Sequence, residues 1–196
     1  MHDADVTALP PPRDLEAPVG ELIAELADHL GVRATVDLCV ELLEGVDRKD
    51  HPDAMPYFTG VVFDEDSPIY YPAQWKDYWV RTWGARGLLY VWDDSAAPAV
   101  VAGLDDEHWR PAEMCLKVST KREIGEAGPG ASRLAVEGEL PRVRVQALRT
   151  LGAVGDTEHV DVVRDLLDDE EQAVRRQAAR SLTQLARRLD LDVEPD

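Results

Sequence analysis

The spacing of its apolar residues constrains this chain more than any other feature. Val80, Gly84, Leu88 and Val91 follow one another at steps of four, four and three. Val143, Ala147, Leu151 and Val154 repeat those steps, and so do Val174, Ala178, Leu182 and Leu185. An arginine follows the first residue of each set, as Arg81, Arg144 and Arg175. These steps trace one stripe of a 3.6-residue helix, and the small residue in second place lets a neighbouring helix come close. The stretch that follows the stripe recurs too: Leu104-Asp105-Asp106-Glu107 returns unchanged as Leu167-Asp168-Asp169-Glu170. Trp109, Arg110, Ala112 and Leu116 mark a blurred unit between the two copies. The repeat is a helix pair of about 31 residues. One such pair cannot bury its apolar face alone, so neighbouring pairs must stack.

The segments Val143-Arg144-Val145-Gln146-Ala147 and Val174-Arg175-Arg176-Gln177-Ala178, with acids shortly before them, resemble HEAT repeats. The resemblance is specifically to the short HEAT-like variety first associated with phycobilisome lyases, over residues 76–188. The resemblance implies an all-α, armadillo-like α-solenoid and implies no single activity. It also implies binding along the second helices of the pairs, near 96–104, 131–136 and 158–167.

Ahead of the repeats, Val19, Leu22, Ile23, Leu26 and Leu30 keep helical spacing and stop at Gly31; Val36, Cys39, Val40 and Leu43 continue it to Gly45. The expected organisation is a disordered tail over 1–15, a helix hairpin over 16–47 and an insertion over 48–75. HEAT-like repeats with a C-terminal cap helix follow over 76–190, and then a tail over 191–196. Within the insertion, Val61-Val62-Phe63 and Ile69-Tyr70-Tyr71 bracket Asp64-Glu65-Asp66, a pattern that suggests a short hairpin in an ordered, irregular segment.

All twelve aromatic residues fall between Tyr57 and Trp109. Trp75, Trp79 and Trp83 stand at i, i+4 spacing, which on a helix places them on one face. Trp79 and Trp83 are expected to pack the insertion onto the first repeat, because aromatics of that size bury large areas. Tyr57, Tyr70, Tyr71 and Trp75 are expected to be exposed. With Asp64, Glu65, Asp66, Arg81 and Arg86 they make up the candidate partner-binding set, since Tyr, Trp and Arg concentrate in interface hot spots.

Charge narrows the partner. The chain has 39 Asp and Glu against 21 Lys and Arg, for a net charge of −18. Residues 1–56 hold 13 acids and 4 bases, whereas residues 110–196 hold 17 and 14. The acidic first half either favours a basic protein surface or serves only to keep the protein soluble. It disfavours nucleic acid, for which no concentrated basic face is evident along the chain. No apolar run reaches the length of a membrane span. The first residues carry no signal-peptide pattern, which makes the cytoplasm the expected compartment.

Catalytic and ligand-binding patterns are missing. His2, His29, His51, His108 and His159 show no metal-ligand spacing, and the acidic clusters lack the alternation of a calcium loop. Carboxylates before helix starts are expected to cap free N–H groups. Cys39 and Cys115 read as reduced core side chains. The glycines of 125–130 lack the Gly-Lys-Ser/Thr of a phosphate loop. No catalytic residue, cofactor or metal is expected. The sequence thus points to a non-catalytic adaptor or scaffold that holds another protein. The alternatives are an inhibitor or immunity-type protein for a basic enzyme, and a lyase-type cofactor chaperone or HEAT-like enzyme.

Overall fold

The structure, a computed structural model, describes residues 9–71 and 74–191. All regular structure among the described residues is helical, and the chain forms two compact units, Met1–Ala96 and Ala97–Asp196. Residues 1–8 of the expected N-terminal tail and 192–196 of the C-terminal one lie outside the described residues.

In the first unit, α1 (Val19–Leu30) and α2 (Val32–Glu44) are separated by Gly31 alone. Gly31 has φ +85° and ψ 152°, a conformation that a side chain would strain, and it forces the reversal between the helices. Leu22, Ile23 and Leu26 of α1 and Val36, Cys39 and Leu43 of α2 are fully or almost fully buried, as their spacing predicts, whereas Val40 is half-buried and Leu42, outside that predicted set, is fully buried. α2 packs against α4 (Tyr78–Gly87) with backbone nearly touching backbone. A Cβ on Gly84 would lie 2.5 Å from Cys39 O and 2.6 Å from Leu43 N, and one on Gly87 would lie 2.5 Å from Cys39 Sγ.

The insertion holds a short helix, α3 (Met55–Thr59), that its irregular sequence did not announce. Its other ordered pieces are 3-10 turns at Arg48–Asp50, Pro52–Ala54 and Pro68–Tyr70, and the expected hairpin does not form. The prolines explain this: they supply no N–H for a strand ladder but suit the first residue of a helical turn. The tail expectation also needs correction. Residues 9–15 are packed rather than loose: Pro12 is buried, Pro10 O accepts from the Tyr57 hydroxyl at 2.8 Å, and Arg13 pairs with Glu25 at 3.0 Å.

The second unit comprises α5 (Ala97–Ala102), α6 (Trp109–Arg122), α7 (Gly128–Glu137), α8 (Pro141–Val154), α9 (Val160–Asp165) and α10 (Gln172–Leu189). The long helices stack in chain order, with α8 between α6 and α10, while α7 backs α8 and α9 backs α10. Ala147 and Ala178, the small residues of the stripe, are fully buried at these contacts.

The repeated Leu-Asp-Asp-Glu performs one task twice. Asp106 accepts from His108 N at 2.8 Å and Asp169 from Glu171 N at 2.8 Å, each holding the turn that starts a long helix. Asp169 also receives Arg144 of the preceding helix at 3.1 Å, both side chains being about 10% exposed. Arg175 donates to the carbonyls of Asp169 and Glu170. The 125–130 segment is a 3-10 turn leading into α7, with Gly128 against the His159 ring.

Candidate functional site

Two arginines, Arg48 buried and Arg86 half-buried, hold the insertion in the first unit. Arg48, 3% exposed, donates through Nε to Ile69 O and through Nη1 to the Asp77 carboxylate. Arg86 of α4 donates to Phe58 O, and burial holds its pKa below the ordinary arginine value. Met55, Tyr57, Phe58 and Ile69 fill the space beneath, all fully buried. Charge-assisted donation to carbonyls at the ends of short helical turns satisfies groups that those turns leave unpaired.

This packing corrects several expectations. Tyr57 (0% exposed) and Tyr70 (5%) are core residues, and burial raises both phenol pKa values. They are buried because short helical turns place successive side chains around an axis rather than alternately up and down. Arg86 is committed to the insertion backbone and is not an exposed contact. Trp75 precedes α4, which begins at Tyr78, so it does not continue the Trp79–Trp83 face; it is half-buried, with its Nε1 buried. Trp79 and Trp83 stack with ring centroids 6.4 Å apart and are also half-buried. Arg81 lines a separate small cavity of about 150 Å³ with Asp47 and Asp77.

The residues left on the surface are Asp64, Glu65, Asp66 and Tyr71, together with Val61 and Val62, which are 48% and 56% exposed. The Lys49 ammonium lies 4.5 Å from the Tyr71 ring centre. The insertion and the N-terminal segment meet at two cavities on either side of Pro52 and Asp53. One, of about 280 Å³, is lined by Pro11, Pro56, Val62, Phe63 and Tyr70, with Glu65 as a further wall residue. The other, of about 420 Å³, has Leu30, Ala34 and Leu38 as apolar lining and Asp37, Glu41 and Asp50 as carboxylates. His51 is the basic group there, and it pairs with Glu41 at 2.8 Å.

Apolar walls among carboxylates form a surface suited to an apolar anchor flanked by cations. Asp37, Glu41, Asp50 and Asp53 were not singled out from sequence. The signal available was the helical register of α2, which carries Ala34, Asp37, Leu38 and Glu41 along one line at i, i+3 and i+4 spacing.

The thiols take no part in a site. Cys39 and Cys115 are buried and free; burial pushes Cys39 up to about 12 and moves Cys115 in the same direction. Among the described residues, no group of three or more His, Cys, Asp or Glu side chains is placed to hold a metal, and no helix is long and apolar enough to cross a membrane.

Comparison with known proteins gives one family: residues 131–193 match HEAT repeats. The match takes in most of α7 and the whole of α8, α9 and α10. No curated protein and no solved structure matches the chain.

Proposed function

Since the chain belongs to the HEAT-repeat family through residues 131–193, a family generally non-catalytic and generally engaged in protein–protein interaction, we propose that it is an adaptor that holds a basic protein partner on its first unit. The observation that carries this is the pair of cavities around Pro52 and Asp53, of which the larger is mainly apolar and both include carboxylates in their lining. A partner segment with one or two large apolar side chains and flanking Lys or Arg fits that chemistry. The apolar anchors supply most of the affinity, and the charges supply encounter rate and orientation. Exposed Val61 and Val62 extend the apolar contact beside Asp64-Glu65-Asp66.

The test is capture from native extract at low salt with the full chain as bait, alongside a Val62→Lys/Glu65→Lys variant shown by circular dichroism to be folded. A stoichiometric protein eluted by salt from wild type and missing from the variant is the expected result. Equal recovery on both baits removes the site from this surface, and a partner-free turnover by the pure protein removes the adaptor.

A further inference from the structure

The net charge of the chain conceals a concentration of cations on the long helices of the second unit. Twelve of the fourteen Lys and Arg residues in 97–196 lie on α6, α8 and α10, and those three helices carry a single acid, Glu113. The remaining acids of the unit lie in the short helices, the turns and the C-terminal tail.

The helix register orders part of this charge. Val143-Arg144-Val145-Gln146-Ala147-Leu148-Arg149-Thr150 recurs as Val174-Arg175-Arg176-Gln177-Ala178-Ala179-Arg180-Ser181, so Arg149 and Arg180 occupy one position in successive helices. Ser181 donates to Leu148 O at 2.6 Å, and Thr150 donates to Leu116 O at 3.0 Å. Each accepting carbonyl is followed by a cation, Arg149 after Leu148 and Lys117 after Leu116, which places Lys117 in the same row.

Arg149, at the centre of the row, is exposed yet braced. Its Nε donates to Gln177 Oε1 at 3.3 Å and its Nη1 to Gln146 Oε1 at 3.4 Å. The two glutamines are 9% and 5% exposed, and Gln177 in turn donates to the fully buried Ser181. No carboxylate among the described residues pairs with Arg149, Arg176 or Arg180. Lys117 and Arg142 share the one carboxylate of Glu113, at 3.2 and 2.9 Å. Burying amides to hold a cation that has no counter-ion costs stability, and it leaves a guanidinium oriented before any ligand arrives.

We propose that Lys117, Arg149 and Arg180 form a docking row for an extended acidic polypeptide lying across the three long helices. Stacked helices stand about 8–10 Å apart. A polyproline II segment rises about 3.1 Å per residue with three residues per turn, so every third side chain faces the same way at about 9 Å intervals. A segment with Asp or Glu at every third position therefore matches the row one carboxylate per helix. Self-repelling acidic segments already favour extended conformations, which keeps the ordering cost low. Nucleic acid fits less well, because the nineteen acids of residues 1–96, against seven bases, repel a long phosphate backbone. This inference is independent of the acidic site on the first unit.

The test is fluorescence anisotropy at about 50 mM salt with full-length protein and a labelled peptide of Glu-Pro-Ala triplets. A peptide of the same composition with its glutamates contiguous and a single-stranded RNA of equal charge serve as comparisons. Wild type is expected to bind the triplet peptide most tightly. Arg149→Gln/Arg180→Gln is expected to weaken it by about 10-fold or more, at up to about 5-fold per cation. Arg149→Lys, which keeps the charge but cannot reach both glutamines in the same way, should cost a smaller factor. These variants should still capture the basic partner of the first unit, which keeps the two proposals separable. RNA binding as tight as the triplet peptide would assign the face to nucleic acid. Low-salt self-association abolished by the double variant would assign it to a second copy. Either result, or affinity indifferent to Arg149 and Arg180, overturns the proposal.

Discussion

Replacing Gly84 by alanine tests the packing of the first unit. The added Cβ would lie 2.5 Å from Cys39 O, 2.6 Å from Leu43 N and 2.9 Å from Leu42 Cβ. Two of these neighbours are backbone atoms of α2, so no side chain can swing aside, and ordinary contact requires about 3.5 Å. The helices must separate by roughly 1 Å, loosening the contacts of Val36, Cys39 and Leu42 against α4. Overpacking of this kind costs about 1–3 kcal/mol, whereas alanine regains up to about 1 kcal/mol of helix propensity. Against backbone atoms the upper part of that range applies, for a net loss of about 2 kcal/mol. Urea denaturation followed by circular dichroism measures it, and hydrogen exchange should place the lost protection in α2 and α4. Gly125→Ala is the control, since nothing lies within 4 Å of its added Cβ. A Gly84→Ala protein as stable as that control would refute the close approach of α2 and α4.

Three further outcomes follow from described contacts. Arg144→Ala strands Asp169 at about 10% exposure and should destabilise the second unit by about 3 kcal/mol; loss of protection in α8 and α10, with α1 and α2 unchanged, checks it. Burial acts to raise the Glu25 carboxyl, but the Arg13 side-chain and backbone hydrogen bonds and the charges of Arg13 and His29 bring it below its ordinary value. A carboxyl lowered in the native state contributes stability above its unfolded pKa and loses it as the pH falls through the native value. Arg13→Ala should therefore flatten the stability-versus-pH curve below about pH 4.3, as urea midpoints across that range would show. Cys39, with its thiol pushed up to about 12, and the fully buried Cys115 should resist iodoacetamide at pH 8 in native protein and react in denaturant, as mass spectrometry of each state would show.

What the sequence discloses and what it withholds divide along physical lines. The stripes beginning at Val143 and Val174 place α8 and α10, because helical periodicity is local and depends on no distant contact. Gly84 was legible as a point of close approach for the same reason. Tyr57 and Tyr70 were not legible, because their burial depends on Arg48 and Arg86, residues distant in sequence from the carbonyls they hold. Composition averaged over 110–196 likewise hid the basic row, since acids in the turns offset cations on the helices, and only the shared register of Arg149 and Arg180 separates them.

The double fastening of the insertion by Arg48 and Arg86 bears on kinetics as well as on structure. A recognition loop without such anchors must find its bound shape during each encounter, and that search slows capture. Here the backbone of 55–59 and 68–70 is already held before a partner arrives. Association at this surface should therefore follow a single bimolecular phase whose rate rises as salt is lowered, with no slower concentration-independent step behind it.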